Sequence, residues 1–277
     1  SLVLEIVIKK YYYSLKMKLL FSRFGGKKTK SKEIISEFVN HKVYVEPFLG
    51  SGAIFLEKNN TNEKVISVIN DLDQSIYNIF NGVRQLSLVE EFDNKEWDWI
   101  PDRDRWNLYK KNIYTDNGLV SDVDKIFQSL YFIRHSWSGL GKSYTPSRWG
   151  CKSNENYKIV LGDYIDKIKD TIVLKKDYKE VIKQFDSENT LFYLDPPYEI
   201  AIKKNYYEHN NGFNLTDFRD ILRNIKGQFI LSIDITEQTT ELFNEFNLKV
   251  IDFNYQTRKK DKDVKEYLIT NFKKNIS

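Results

Sequence analysis

Asp195 stands where an apolar, strand-forming run, Thr190 to Leu194, stops at two prolines and a tyrosine ("TLFYLDPPYEI"). Neither Pro196 nor Pro197 can donate to a sheet ladder and each fixes φ, while the residue before a proline is pushed out of helical space. The tetrapeptide "DPPY" (Asp195, Pro196, Pro197, Tyr198) is therefore a stiff, extended exit from a strand. It holds the Asp195 carboxylate and the Pro196 carbonyl still, a geometry that serves either a turn or a ligand.

Three further groups share this setting. "VYVEPFLGSGAIFLE" (43–57) is a strand, a glycine-bearing turn and a helix start, where Gly50 and Gly52 let backbone approach a ligand and the helix start favours polar or anionic groups. It lacks the lysine and spacing of a phosphate-binding P-loop. "KVISVI" then ends in "ND", placing Asp71 where nucleotide-binding α/β folds grip ribose hydroxyls. Taken alone, Asp71 is better explained as the cap of the helix that follows, "DQSIYNIF". "TIVLKKDY" brings Asp177 and Tyr178 just past another strand. Acids at three strand ends plus a glycine turn, all at carboxyl ends of presumed parallel strands, say more together than any one does alone.

The elements that must position these residues are seven β-rich runs, at 42–46, 64–69, 171–174, 190–195, 228–234, 248–254 and 264–271. Capped helical patterns lie between several of them, including helices starting near Thr216 and near Thr236. The alternation predicts an α/β sheet with helices on both faces, its last two strands closing as an antiparallel hairpin. Between about residues 87 and 165 the alternation lapses. That stretch holds all five tryptophans, many charges and the Gly/Ser/Pro-rich "SGLGKSYTPSRWG", which predicts an inserted, smaller subdomain.

Composition narrows the class. The 277-residue chain suits one large domain, or one domain carrying an insertion, and its 18 Tyr, 18 Phe and 5 Trp supply a sizeable core. The apolar runs are too short for a membrane span and no export signal is visible, so a cytoplasmic protein without a membrane partner is expected. The single cysteine, Cys151, excludes a disulfide framework and a cysteine-rich zinc site. A net charge of +4 permits a nucleic-acid partner without requiring one, and the basic clusters at Lys27–Lys32 and Arg258–Lys262 are equally well explained as solvated surface. Met17 is the only methionine; residues 1–16 are either the start of a chain that lost its initiator or an extension ahead of Met17, and no function is assigned to them.

With "FGGK" (24–27), "EPFLGSG" (46–52), "ND" (70–71), "DY" (177–178), "DPPY" (195–198) and "KEYLITN" (265–271) in this order, the chain resembles the Dam-type, D12 class adenine-N6 DNA methyltransferases from about Phe21 to Asn271. The resemblance implies a Rossmann-like, seven-stranded α/β methyltransferase sheet carrying a mainly helical target-recognition subdomain. Residues 17–86 and 166–277 would form the catalytic domain and 87–165 the subdomain. It implies S-adenosylmethionine as methyl donor, double-stranded DNA as partner, room for a cognate restriction endonuclease, and a monomer or weak dimer. Arg23, Gly25, Gly26 and Lys27 would lie at the cofactor, as would Glu46, Pro47, Phe48, Gly50, Ser51 and Gly52. Asp71 would bind its ribose, Asp177 with Tyr178 its adenine, and Asp195 would sit between cofactor and target. One departure falls in "YFIRHSWSGLG" (131–141), where Ile133 and Ser138 replace the family's usual asparagines, so no recognition sequence carries over.

In that family's reaction the exocyclic nitrogen of adenine is a poor nucleophile, and Asp195 with the Pro196 carbonyl supplies two acceptors for its N–H bonds. Tyr198 would stack on a base flipped from the duplex. Direct transfer needs neither a covalent intermediate nor a metal. Cytosine-C5 chemistry would need a thiolate, and Cys151 lies far from the proline motif; cytosine-N4 enzymes usually carry serine in place of Asp195. An RNA substrate and a catalytically silent DNA-binding protein remain the alternatives. For DNA contacts the expectation falls on Arg134, Lys142, Tyr144, Arg148 and Lys152 in the insertion. Trp137 and Trp149 are expected to pack rather than to wedge between bases.

Overall fold

The computed structural model describes residues 19–58, 65–115, 118–146, 159–197, 213–255 and 262–273. Residues 1–16, Arg148, Trp149, Cys151, Lys152 and Tyr198, all named above, lie outside them. Seven strands form one sheet: β1 (Val43–Glu46), β2 (Ile66–Asn70), β3 (Ile172–Leu174), β4 (Thr190–Leu194), β5 (Gln228–Asp234), β6 (Asn247–Tyr255) and β7 (Lys262–Thr270). Their order is β3-β2-β1-β4-β5-β7-β6. The first five run parallel, and β7 inserts antiparallel between β5 and β6. This is the α/β arrangement expected, including the closing β6–β7 hairpin, whose register runs from Asn247↔Thr270 to Tyr255↔Lys262.

Period-two alternation sends neighbouring side chains to opposite faces. On one face Tyr44, Ile69, Leu191, Tyr193, Ile230 and Leu268 pack against α1 (Ser31–Ser36), α2 (Ala53–Glu57) and α3 (Gln74–Val83). On the other, Val45, Val68, Phe192, Leu194, Phe229 and Leu231 pack against α8 (Tyr178–Phe185), α9 (Leu215–Arg223) and Phe243, which follows α10 (Glu237–Leu242). All five residues of β4 are buried. Burial stabilises a large apolar side chain by roughly 1.5–3 kcal/mol, which keeps the strand regular up to Asp195.

The stretch between α3 and β3 is helical, comprising α4 (Leu86–Asn94), α5 (Arg103–Thr115), α6 (Asp122–Arg134) and α7 (Gly162–Ile168). Its core is continuous with the sheet's: Val89, Phe92, Trp99, Trp106, Ile126 and Phe127 join the cluster that contains Phe80 and Val83 of α3. Trp97 stacks on Phe127 at 4.4 Å and Trp106 on Phe132 at 5.1 Å, so these tryptophans pack. Trp137, in a short 3₁₀ turn (Trp137–Gly139), is 38% exposed instead.

Local chemistry sets the helix starts. Thr236 caps α10 as expected, with Thr239 returning the bond to its N–H in a capping box. α9 starts earlier than Thr216 because Asn214 Oδ1 accepts from the N–H groups of Thr216 and Asp217, making Asn214 the cap.

Candidate active site

Four parallel strands deliver their carboxyl ends to one edge of the sheet. β1 and β4 lie side by side at the point where the strand order reverses, the usual ligand crevice of an open α/β sheet. A single cleft there is lined by Arg23, the "GGK" turn, residues 46–51, Asp71, Asp177, Tyr178 and residues 195–197. Every described residue that the resemblance assigned to the cofactor or to catalysis therefore borders this cleft, apart from Gly52, which lies behind it. Gly52 has φ +70°, and a Cβ there would meet the Phe80 ring at 2.9 Å, so the turn closes onto α3 only with glycine.

The acid after β2 does not cap the helix. Asp73 does, accepting from Ser75 N–H at 2.9 Å, and it also pairs with Arg23 at 3.0 Å. Asp71 is left to reach across the crevice, accepting from Gly50 N–H at 2.8 Å through Oδ2 and from Asp73 N–H at 3.0 Å through Oδ1. Burial raises the Asp71 pKa despite the nearby Arg23. For Asp73 burial acts in the same upward direction, but Arg23 and the Ser75 donors outweigh it and bring the group below its ordinary value. Asp177, by contrast, does cap α8, accepting from Lys179 N–H at 2.8 Å while still lining the cleft.

Asn70 went unassigned in the sequence reading, yet it joins these parts. Its Nδ2 donates to the carbonyls of Pro47 (2.9 Å) and Lys176 (3.0 Å), and its Oδ1 accepts from Lys176 N–H at 2.8 Å. The only signal was its place in "ND" at a buried strand end.

One end of the cleft is aromatic. Tyr178 lies 5.2 Å from Phe48 and 5.6 Å from Phe213, and among the described residues its buried Oη has no hydrogen-bond partner. Burial pushes the Tyr178 phenol up to about 12, so it stays protonated as a donor. The other end carries charge. The Lys27 ammonium, 2% exposed, lies 2.9 Å from Asp195 Oδ1, donates to the Gly25 carbonyl at 2.9 Å, and sits 3.7 Å from Glu266 on β7. Ser232 of β5 also donates to Asp195 Oδ1 at 3.3 Å. Glu46 accepts from the Tyr44 hydroxyl at 2.7 Å, and burial, reinforced by Asp195, raises it to about 8.

Apolar ring walls with an orphaned hydroxyl, acceptors at Asp71 and Asp177, and the Asp195 carboxylate fit an adenosine that carries positive charge at its other end. At Gly50 (φ +53°) a Cβ would meet nothing within 4 Å, so backbone lies open to such a ligand.

Of the expected DNA contacts, the described Arg134, Lys142 and Tyr144 lie outside this cleft. Arg134 packs its guanidinium over Trp99, 5.9 Å from the ring centroid. Tyr144 packs edge-on to Trp106 at 6.2 Å beneath the Arg103 guanidinium, and Lys142 is half-buried. The hairpin holding Lys142 and Tyr144 (bridge Ser136↔Tyr144) is fastened to the segment that carries the "GGK" turn: Phe24 N–H donates to the Ser138 carbonyl at 2.9 Å.

The chain is 24% identical to a "Type II methyltransferase M1.LlaDCHI" of Lactococcus lactis subsp. cremoris, over 90% of this chain and 93% of that one. It is 26% identical to a "DNA adenine methylase" of Haemophilus influenzae, over 84% and 85%. A solved precorrin-6y C5,15-methyltransferase from Geobacter metallireducens aligns over 88% of this chain and 87% of its own, at 9% identity and a TM-score of 0.39. Residues 24–257 match the model of the D12 class N6 adenine-specific DNA methyltransferases, and the chain belongs to that family.

Proposed function

We propose that the protein transfers a methyl group from S-adenosylmethionine to the N6 amine of an adenine flipped out of duplex DNA. The observation that carries this reading is the placement of Asp195. Its Oδ1 is held by Lys27 and Ser232, and it stands in the same cleft as Asp71, Asp177 and the aromatic wall.

When bound, S-adenosylmethionine supplies an electrophilic methyl group on a sulfonium. Asp71 accepts from its ribose, Phe48 and Tyr178 flank its adenine with Asp177 at the amine, and the Asp195 carboxylate complements its positive charge. Asp195 Oδ2 and the Pro196 carbonyl accept the two N–H bonds of the target amine, turning its lone pair toward the methyl group. As the N–C bond forms the C–S bond breaks, S-adenosylhomocysteine leaves, and the methylated amine gives its surplus proton to Asp195 Oδ2 and on to water. Tyr198 stacks on the extruded base. Arg134, Lys142, Tyr144, Arg148 and Lys152 contact the duplex, so binding weakens with salt. The name of the Lactococcus relative supports a place beside a cognate restriction endonuclease.

Purified protein incubated with methyl-labelled S-adenosylmethionine should label duplex DNA and not RNA. Asp195→Ala should abolish labelling and leave DNA binding within about twofold. Near-normal turnover by that variant would remove Asp195 from the mechanism, and label in RNA would reassign the substrate.

A further inference from the structure

Lys27 is a buried cation between two carboxylates carried by different strands. One is Asp195, at the exit of β4; the other is Glu266, 1% exposed, on the antiparallel strand β7. Glu266 pairs in register with Asp234 of β5, and the β5 residue two positions earlier, Ser232, is the second donor to Asp195. The Glu266 carboxylate therefore stands behind Lys27, and Asp195 stands in front of it at the cleft.

A target amine arriving at Asp195 competes with Lys27 for the same carboxylate. Both donors already on Asp195 use Oδ1. Without Glu266 the only negative charge on the ammonium would be Asp195, with the neutral Gly25 carbonyl beside it, whereas the second carboxylate 3.7 Å behind Lys27 biases the ammonium to one side.

We propose that Glu266 is a positioning residue for methyl transfer: through Lys27 it fixes the Asp195 carboxylate with Oδ2 turned to the target amine. The inference rests on the function proposed above.

The test compares wild type with Glu266→Gln, which keeps shape and removes charge, and with Glu266→Asp, which keeps charge. We expect Glu266→Gln to lower kcat about 10- to 100-fold. KM for S-adenosylmethionine and the DNA dissociation constant should stay within about twofold. Glu266→Asp should recover most of kcat, and in a Lys27→Met background Glu266→Gln should cost no more than about twofold. A crystal structure of Glu266→Gln should show the ammonium displaced from Asp195 Oδ1, a readout independent of turnover. Unchanged kcat in Glu266→Gln, losses additive with Lys27→Met, equal loss in the Asp and Gln variants, or an intact Lys27–Asp195 contact in the crystal would each overturn the proposal. An inactive wild type would overturn the function itself, whereas an active wild type with an indifferent Glu266 overturns only this role.

Discussion

Glu46 and Asp195 are carboxylates just beyond or at the ends of adjacent parallel strands, yet they meet different surroundings. Glu46 is 2% exposed, faces the Tyr44 hydroxyl and is raised to about 8 by burial. Asp195 is 22% exposed by side chain and carries an ammonium on Oδ1. The Glu46 shift has a measurable consequence. Unfolded, the group loses its proton near 4.5; folded, it keeps it to about 8. Through that window the native state binds a proton that the unfolded chain has released, so stability falls as pH rises. Glu46→Gln cannot titrate and escapes this loss. Denaturant melts should show the variant gaining on wild type from pH 4.5 to 8, by a few kcal/mol at the alkaline end; a constant difference would mean that Glu46 is already ionised in the native protein. Little of this was legible in the sequence. "VYVE" announces a strand, but the Tyr44–Glu46 contact depends on both side chains leaving the same face of β1, at a depth that only the assembled sheet defines.

Among the elements, the strand ends matter more than the strands. β1, β2 and β3 each stop in a loop that contributes to the cleft, and Asn70 at the end of β2 fastens the loop after β1 to the loop after β3. Asn70→Asp keeps the acceptor for Lys176 N–H but turns an oxygen toward two carbonyls. An unsatisfied buried group of this kind costs about 1–3 kcal/mol, and here the cost falls on the spacing between the glycine turn and Asp177. Steady-state kinetics should show KM for S-adenosylmethionine up about tenfold, with kcat changed less. A fall in kcat at constant KM would place Asn70 in the chemical step instead. Strand positions were readable because β4 and β5 are short, apolar and bounded by breakers. Which acid caps a helix and which reaches a ligand was not: Asp71 and Asp73 are two residues apart, and only the turn of backbone at 71–73 separates their roles. Asn70 was invisible because one amide side chain reveals nothing about the carbonyls that will surround it.

At the scale of the whole molecule, one α/β sheet with helices on both faces and a closing antiparallel hairpin is what the alternating strands and helices imply. Less visible was how far the parts share one core. Trp99 and Trp106 sit in the same cluster as Phe80 of α3, and the 136–144 hairpin is tied to Phe24 beside the "GGK" turn. A Cβ on Gly139 would lie 2.4 Å from the Ser22 carbonyl, so the two segments are in close contact. Long-range approach of this kind leaves no period in a sequence. The central claim is that this assembly methylates adenine N6 at a defined DNA sequence, and the most direct measurement is expression of the chain in a host lacking adenine methylation, followed by single-molecule sequencing of its genome. Adenine-N6 marks confined to one short motif are the predicted result. Unmarked DNA from cells holding soluble protein that still binds S-adenosylmethionine would contradict the claim.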